Sequence, residues 1–452
     1  MHWAQTWPFP ASTTFRCGTK APNGAYRHQN VMRKTTISAL VVLLFAVRTV
    51  PAQDAVRLSL ASAQAAEARR NSALAGAYNL KLGPTSWAFG AGLGIEYNDN
   101  VNLDTNSSSS DVAFRPQILT KMVWPMTTEN VLNLTMSAGY AAYLKNTRYS
   151  GFYVAPGSEL SFDLYAGDFW LNLHDRPTVT EFAYEDPTIA QTGNYSRLEN
   201  TLGFTGTWDL NKVQVTLGYD HQNYVPIRGP TNQPNGSAEL AYTSATYALW
   251  EGLRLGLEAG GGTQRYSDLA PNSGFADADQ WNAGAVCDAQ LTQYIHFKAN
   301  VGYTSYLPTS ETLVQVSSNE FTHVDNSMSG MYARLSLSHR LNKYVTYTLS
   351  GGRSITASFF GGVVDLYEAN LDANWNIIRG IGLLTSARWE HGRQTIGISE
   401  VFDRYGGGIS LSRALSEKLS GSLGYTFYSR TSDIAGRDYQ LSVFSLNLTY
   451  KF

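Results

Sequence analysis

Across residues 83–452 the sequence alternates apolar and polar residues with a period of two, almost without interruption. In residues 131–144, Leu132, Leu134, Met136, Ala138 and Tyr140 share one face, and Asn133, Thr135, Ser137 and Gly139 the other. The stretch 213–219 sets Val213, Val215, Leu217 and Tyr219 against Gln214, Thr216 and Gly218. Further on, 332–340 and 366–378 repeat the arrangement, with Leu335 and Leu337 opposite Arg334 and Ser336, and Leu371 and Trp375 opposite Asp372 and Asn374. Successive side chains of a strand point to opposite faces, so each run reads as a strand with one apolar and one polar face. The runs are about 11–15 residues long, against about 5–6 for a typical soluble strand and about 9–11 to cross the apolar zone of a bilayer at a tilt. Strands of that length and pattern place their apolar face in lipid and must close on themselves, because an open edge would leave unpaired backbone groups in hydrocarbon.

The connections alternate as well. Short turns fall at 126–130, 166–168, 210–212, 250–252, 293, 342–343, 378–380 and 416–417, and longer polar loops such as 99–110, 226–237, 268–278 and 308–324 lie between them. Segments bounded in this way number about eighteen, an even count that puts both chain ends on one side, as in bacterial outer-membrane barrels. The expected fold is therefore all-β, a transmembrane antiparallel barrel with short periplasmic turns and longer extracellular loops. Trp124, Trp208 and Trp250 stand next to short turns, and Tyr97, Tyr143, Tyr224, Tyr306 and Tyr428 next to long loops, a placement that suits two interfacial girdles.

Composition narrows the function classes. Charged residues make up only 15% of the chain and the formal net charge is −2, so a partner held through phosphate contacts, nucleic acid above all, is not expected. The two cysteines, Cys17 and Cys287, support neither a disulfide framework nor a metal site. Among the histidines of the barrel region, His174, His221, His296, His323, His339 and His391, none has metal-ligand spacing to another. His174 and Asp175 are neighbours on a strand and point to opposite faces. Neither Gly260–Gly262 nor Gly406–Gly408 precedes a helix, so these runs are not phosphate loops, and glycine there permits curvature or close packing. No catalytic residue, metal or cofactor is expected.

One strongly apolar run, residues 37–47, is too short to span a bilayer as a helix. Arg33 and Lys34 precede it and Val50-Pro51-Ala52 follow, the order of a secretory signal peptide starting at Met32 and cleaved after Ala52. The expected organisation is an upstream extension at 1–31, a signal peptide at 32–52, a periplasmic segment at 53–82 and the barrel at 83–452. At the other end the chain stops in SLNLTYKF, with Leu446, Leu448, Tyr450 and Phe452 on one face. This resembles the C-terminal signal by which the barrel-assembly machinery recognises outer-membrane barrels.

Gly83-Pro84 followed by a strand ending Tyr97-Asn98-Asp99-Asn100 resembles the opening of the putative beta-barrel porin 2 family. The stretch Asn194-Tyr195-Ser196-Arg197-Leu198-Glu199-Asn200, then Trp208-Asp209-Leu210-Asn211-Lys212, is similar to that family too. The resemblance covers about 80–452 and implies an outer-membrane barrel of porin type with no catalytic residues to transfer. Some large barrels of this kind accompany exopolysaccharide biosynthesis, which supplies an alternative function.

Counted by alternation, the polar face carries Arg115, Lys121, Arg176, Arg254, Lys298, Arg334, Arg340 and Arg388, with Asp163, Glu199, Asp220, Glu258, Asp288, Glu368, Asp372 and Glu390. An Arg or Lys on the lipid face would cost about 2–4 kcal/mol at the midplane, so these residues are expected to line the lumen. Their signs balance, which argues for weak charge selectivity. A porin-like channel for passive diffusion of small hydrophilic solutes is the first functional expectation. An export conduit for exopolysaccharide working with periplasmic partners is the alternative. An occluded structural or receptor barrel is the third, and a loop folded across the lumen would favour it.

Overall fold

A computed structural model describes residues 78–452 apart from 181, 230–232, 268–274, 310–311, 318–319, 325–326, 359–361, 379 and 395–398. The expected upstream extension, the signal peptide and most of the 53–82 segment lie outside the described residues.

The ring begins with β1 (Thr85–Asn98), β2 (Asp111–Pro125) and β3 (Val131–Tyr143). Strand β4 is interrupted, running Gly151–Val154 and then Glu159–Ala166, and β5 (Phe169–Thr180) follows. Next come β6 (Ser196–Leu210), β7 (Val213–Arg228), β8 (Asn235–Trp250) and β9 (Leu253–Ser267). Strands β10 (Ala278–Thr292), β11 (Ile295–Pro308), β12 (Met328–Arg340) and β13 (Val345–Ala357) continue the order. The last five are β14 (Val363–Ile378), β15 (Ile381–Gln394), β16 (Glu400–Ala414), β17 (Leu419–Ser432) and β18 (Tyr439–Lys451).

Each strand pairs antiparallel with the next, and β18 returns to β1 in a register running from Gly90 opposite Lys451 to Asn98 opposite Val443. Of the 20 strands in the sheet, one is a short N-terminal strand and two are the halves of β4, which leaves eighteen around a closed ring. A separate hairpin, Thr312–Ser317 with Glu320–Val324, stands in the loop between β11 and β12. The short turns fall where the sequence places them. Left-handed backbone recurs in them, as at Asn211 with φ 70° and Gly252 with φ 86°, a conformation that asparagine and glycine tolerate best.

Burial sorts the two faces. Phe152, Ile118 and Leu257 are 79%, 66% and 70% exposed, while Asp163, Asn172, Asp220 and Arg404 are 2% exposed or less. An apolar exterior around a polar, hydrogen-bonded interior is the reverse of a soluble sandwich and suits a ring set in hydrocarbon. Trp208 and Trp250 face outward beside short turns, and Tyr97 faces outward beside a loop, as expected. Tyr143, Tyr224, Tyr306 and Tyr428 do not. Tyr143 accepts a hydrogen bond from Arg115 on the inner wall, Tyr224 donates to Gln222, and Tyr306 and Tyr428 are buried. Nearness to a loop fixes a residue's height, whereas its face follows from its parity along the strand, and these four share the parity of the inner set.

The sheet also starts earlier than Gly83. Leu80–Leu82 pairs with Thr85–Trp87 through a turn at Gly83, whose φ is 58°. This short strand lies beside β1 where β18 ends. Asn79 Nδ2 donates to the carbonyl of Phe452 at 2.9 Å and to that of Phe89 at 2.8 Å, and the Phe452 amide donates to Phe89 O at 3.1 Å. Leu446, Leu448, Tyr450 and Phe452 all point outward, and the last two rings meet edge to face at 5.6 Å. On the expectation that the terminal ring serves assembly, deletion of Phe452 should lower the amount of folded barrel in the outer membrane and leave chain to periplasmic proteases. Quantitative blotting of membrane fractions reads this, and undiminished levels would remove the assembly role of the terminal ring.

Candidate functional site

The inner wall is built by side chains laid flat over glycines. Glu258, Gly284, Gly302 and Tyr332 lie opposite one another across β9, β10, β11 and β12. Tyr332 extends across both glycines to donate its hydroxyl to Glu258 Oε1 at 2.6 Å. His174 Nε2 reaches Asp220 Oδ1 at 2.9 Å over Gly203, the residue between them in register. Thr205 and Tyr242 join hydroxyls at 2.7 Å over Gly218. Glycine inside a strand marks such close approaches. Gly406 works the same way under the ring of Tyr428, in line with the packing role read for that glycine run.

The residues expected to line the lumen are distributed around this wall, most of them engaged. Arg115 pairs with Glu96 at 3.3 Å and lies over the Phe182 ring at 4.4 Å. Asp163 accepts from Asn133, Trp170 and Asn172, the last at 2.7 Å. Glu199 accepts from Arg197 Nε at 2.6 Å, and Glu258 also accepts from Asn300 at 2.6 Å. Lys298 pairs with Asp288 at 3.3 Å, and Asp288 with His296 at 2.6 Å. Arg176 pairs with Glu159 at 3.2 Å. Arg334 lies over Tyr332 at 5.4 Å and Arg340 over Tyr294 at 5.5 Å. Towards the short turns, Arg254 donates to Asn211 O at 3.5 Å and Lys121 stands opposite Ala88 and Thr135. Asp372 stands opposite Thr348 and Ser386, and Arg388 opposite Asn370 and Gly406. Within this set Arg254 and Lys298 each stand directly opposite Asp288, and Glu368 stands opposite Glu390.

The site takes shape where the connection from β5 to β6 turns inward. Residues 182–195 leave the rim and pack against the wall. Ala183, Ile189, Ala190 and Tyr195 form an apolar cluster with Leu103, Tyr428, Tyr439, Leu441 and Val443. Three buried arginines moor the segment by its main chain. Arg404 Nη1 donates to Tyr184 O at 2.7 Å, Arg430 Nε to Pro187 O at 3.2 Å, and Arg437 Nη2 to Thr188 O at 3.2 Å. Each arginine is matched by a carboxylate. Glu390 accepts from Arg404 Nη2 at 2.8 Å, and Glu400 accepts from Arg430 at 2.8 Å and from Arg437 at 3.0 Å. A buried ion pair is stable only when its remaining polar atoms are also satisfied, and the segment's carbonyls meet part of that need here.

The segment therefore cuts across the ring from β5 and β6 towards β2 and β16–β18, and it brings Glu185 to the lumen. That side chain reaches open space inside the barrel. Desolvation by the protein that surrounds it on the crossing segment holds its pKa above the ordinary carboxylate value; Arg388, Arg404 and Arg115 oppose the rise and Glu96 adds to it. Glu185, Glu96, Arg404, Arg430, Arg437 and Glu400 escape an alternation count. Arg404 shares its inward face with Phe402, and Arg430 with Tyr428, so neither strand shows a clean polar stripe. The available signal was an inner face that turns apolar at Tyr428, Tyr439, Leu441 and Val443, together with an outer loop that carries Phe182, Ala183, Ile189 and Ala190.

Neither a protein-family model nor a curated protein matches the chain. Among solved structures, the outer membrane protein OpdK of Pseudomonas aeruginosa aligns at 13% identity over 81% of this chain and 99% of its own, with a TM-score of 0.45. OccK2 (OpdF) of the same organism, in complex with glucuronate, aligns at 10% over 82% and 99%, with a TM-score of 0.46. A BenF-like porin from Pseudomonas fluorescens Pf-5 aligns at 10% over 81% and 99%, with a TM-score of 0.45.

Proposed function

We propose that the chain is a bacterial outer-membrane channel through which small hydrophilic solutes diffuse passively, with weak charge selectivity and a constriction made by residues 182–195. The observation that carries this reading is the closed ring of eighteen strands with a polar inner wall. Barrels of about sixteen to eighteen strands are too wide for wall side chains to fill and leave an aqueous path. The crossing segment also fits an occluded barrel. Its moorings lie on β2 and β16–β18, along one arc of the ring, which supports narrowing instead. A narrowed lumen suits small solutes better than a polysaccharide strand in transit. Resemblance to the putative beta-barrel porin 2 family, outer-membrane lipid around the exterior and delivery by the barrel-assembly machinery belong to the same reading.

Conductance of the purified protein in a planar bilayer tests it, and a silent barrel would favour occlusion. Reversal potentials across a salt gradient then test the lining. The wild type is expected to discriminate weakly between ions. Changing Arg334, Arg340 and Arg388 together to Ser leaves the acidic set in excess and is expected to tilt the channel towards cations. The shift should fade at high salt, where the Debye length is about 3 Å at 1 M. Equal selectivity of the two proteins at low salt would mean that these arginines do not face the path.

A further inference from the structure

Beside the tip of the crossing segment, a recess open to solvent lies at the loop end of the lumen, between β6–β9 and β13. Asp186, Arg197, Tyr224, Gln264, Tyr266 and Thr356 are among the residues that line it, with Phe275 from the loop after β9.

Two buried polar side chains in this lining are left unmatched. Gln264 is 7% exposed; its Nε2 donates to the Tyr266 hydroxyl at 2.6 Å and its Oε1 has no partner. If the amide were turned round, one end would still meet the hydroxyl and the other would still be left over. Thr356, across the space on β13, is 4% exposed and its Oγ1 has no partner either. Buried polar atoms are nearly always satisfied, and a group that remains open at a pocket wall points to a ligand or an ordered water.

The charges of the lining are already matched. Arg197 donates through Nε to Glu199 at 2.6 Å, and through Nη2 as well, while its guanidinium lies over the Tyr224 ring at 5.2 Å. Asp186 accepts from the Thr188 amide at 2.8 Å and from its hydroxyl at 2.7 Å. A carboxylate or phosphate entering here would meet Asp186 and find its one neighbouring guanidinium taken. The remaining lining is aromatic, with Tyr266 and Phe275 edge to face at 5.3 Å and Tyr224 nearby. Aromatic faces, one open amide end and one open hydroxyl suit a ring that is apolar on its faces, hydroxylated at its rim and uncharged.

We propose that this space is a binding site for a neutral pyranose sugar, met by solutes at the loop end before the constriction. It deepens the channel reading, since the sugar is then one of the solutes admitted. Isothermal titration of the full detergent-solubilised barrel with glucose, maltose and glucuronate tests the site without requiring conduction. Saturable binding of glucose or maltose is expected, with glucuronate at least tenfold weaker because like charge and an engaged arginine oppose it. Gln264→Leu and Thr356→Val, each close in shape to the original, are expected to weaken sugar binding by about five- to tenfold by removing one hydrogen bond. Phe275→Ala, outside the barrel strands, should weaken it too, and a heat-dependent gel shift confirms that every variant is folded. No saturable binding of either sugar by folded wild type overturns the site, as does glucuronate binding as tightly as glucose. So does unchanged affinity in the Gln264→Leu/Thr356→Val double variant, which would leave water as the partner of these atoms. A barrel that conducts without binding sugar loses this site and keeps the channel reading; one that binds sugar and does not conduct does the reverse.

Discussion

Changing Arg404 and Arg430 together to Met is expected to raise the unit conductance severalfold and to make the open current noisy. These two side chains hold the carbonyls of Tyr184 and Pro187, and their loss frees the crossing segment from β16 and β17. Removing one member of a buried ion pair typically costs about 3–5 kcal/mol, because the remaining charge is left uncompensated. Here Glu390 is stranded, while Glu400 keeps Arg437. The wall itself is held by strand-to-strand hydrogen bonds around the whole ring, so the cost falls mainly on the segment. Arg404→Lys separates the two roles of that residue. It retains a charge for Glu390 but lacks the planar fork that serves carboxylate and carbonyl together, so an intermediate conductance is expected. Single-channel recording reads all three proteins. Wild-type conductance in the double variant would show that the segment does not narrow the path.

The second large effect is expected at Gly284. A Cβ placed there would stand 2.2 Å from the Tyr332 hydroxyl and 2.6 Å from the carbonyl oxygen of Val301. The Tyr332 ring must then lift from the wall and give up Glu258. Overpacking of this kind costs about 1–3 kcal/mol, and leaving a buried carboxylate short of a hydrogen bond adds to it. Gly284→Ala should therefore lower the temperature at which the folded band disappears in a gel-shift series. Shortening the ring by Tyr332→Ala in that background should restore part of the loss, since the added methyl then meets only the backbone at Val301 and Gly302. Strict additivity of the two changes would show that the ring and the glycine do not share this contact.

How far the sequence determines the structure differs between wall and lumen. The strand order, the short turns and the parity of most inward charges follow from local rules, because one side chain in two must meet lipid and the backbone must pair with the next strand. Arg334, Glu258 and Asp220 obey those rules. The crossing segment does not, since its position depends on contacts between residues far apart in the chain, such as Arg404 with Tyr184. Locally, residues 182–190 read as an outer loop. Their apolar content gains meaning only when Leu441 and Val443 are seen to turn inward on a distant strand. The tyrosines beside the long loops mislead for a related reason. Height along a strand can be counted from the nearest turn, but the inner surface takes aromatic rings wherever glycines leave room for them.

The wall grips the crossing segment by main-chain oxygens, those of Tyr184, Glu185, Pro187 and Thr188. Every amino acid carries that oxygen. Glu185 can consequently be exchanged during evolution without loosening these moorings, and on the proposed channel reading it stands where a passing solute would meet it. A descendant of this chain could change what it admits by altering one or two codons here while the barrel, its moorings and its route of assembly stayed as they are.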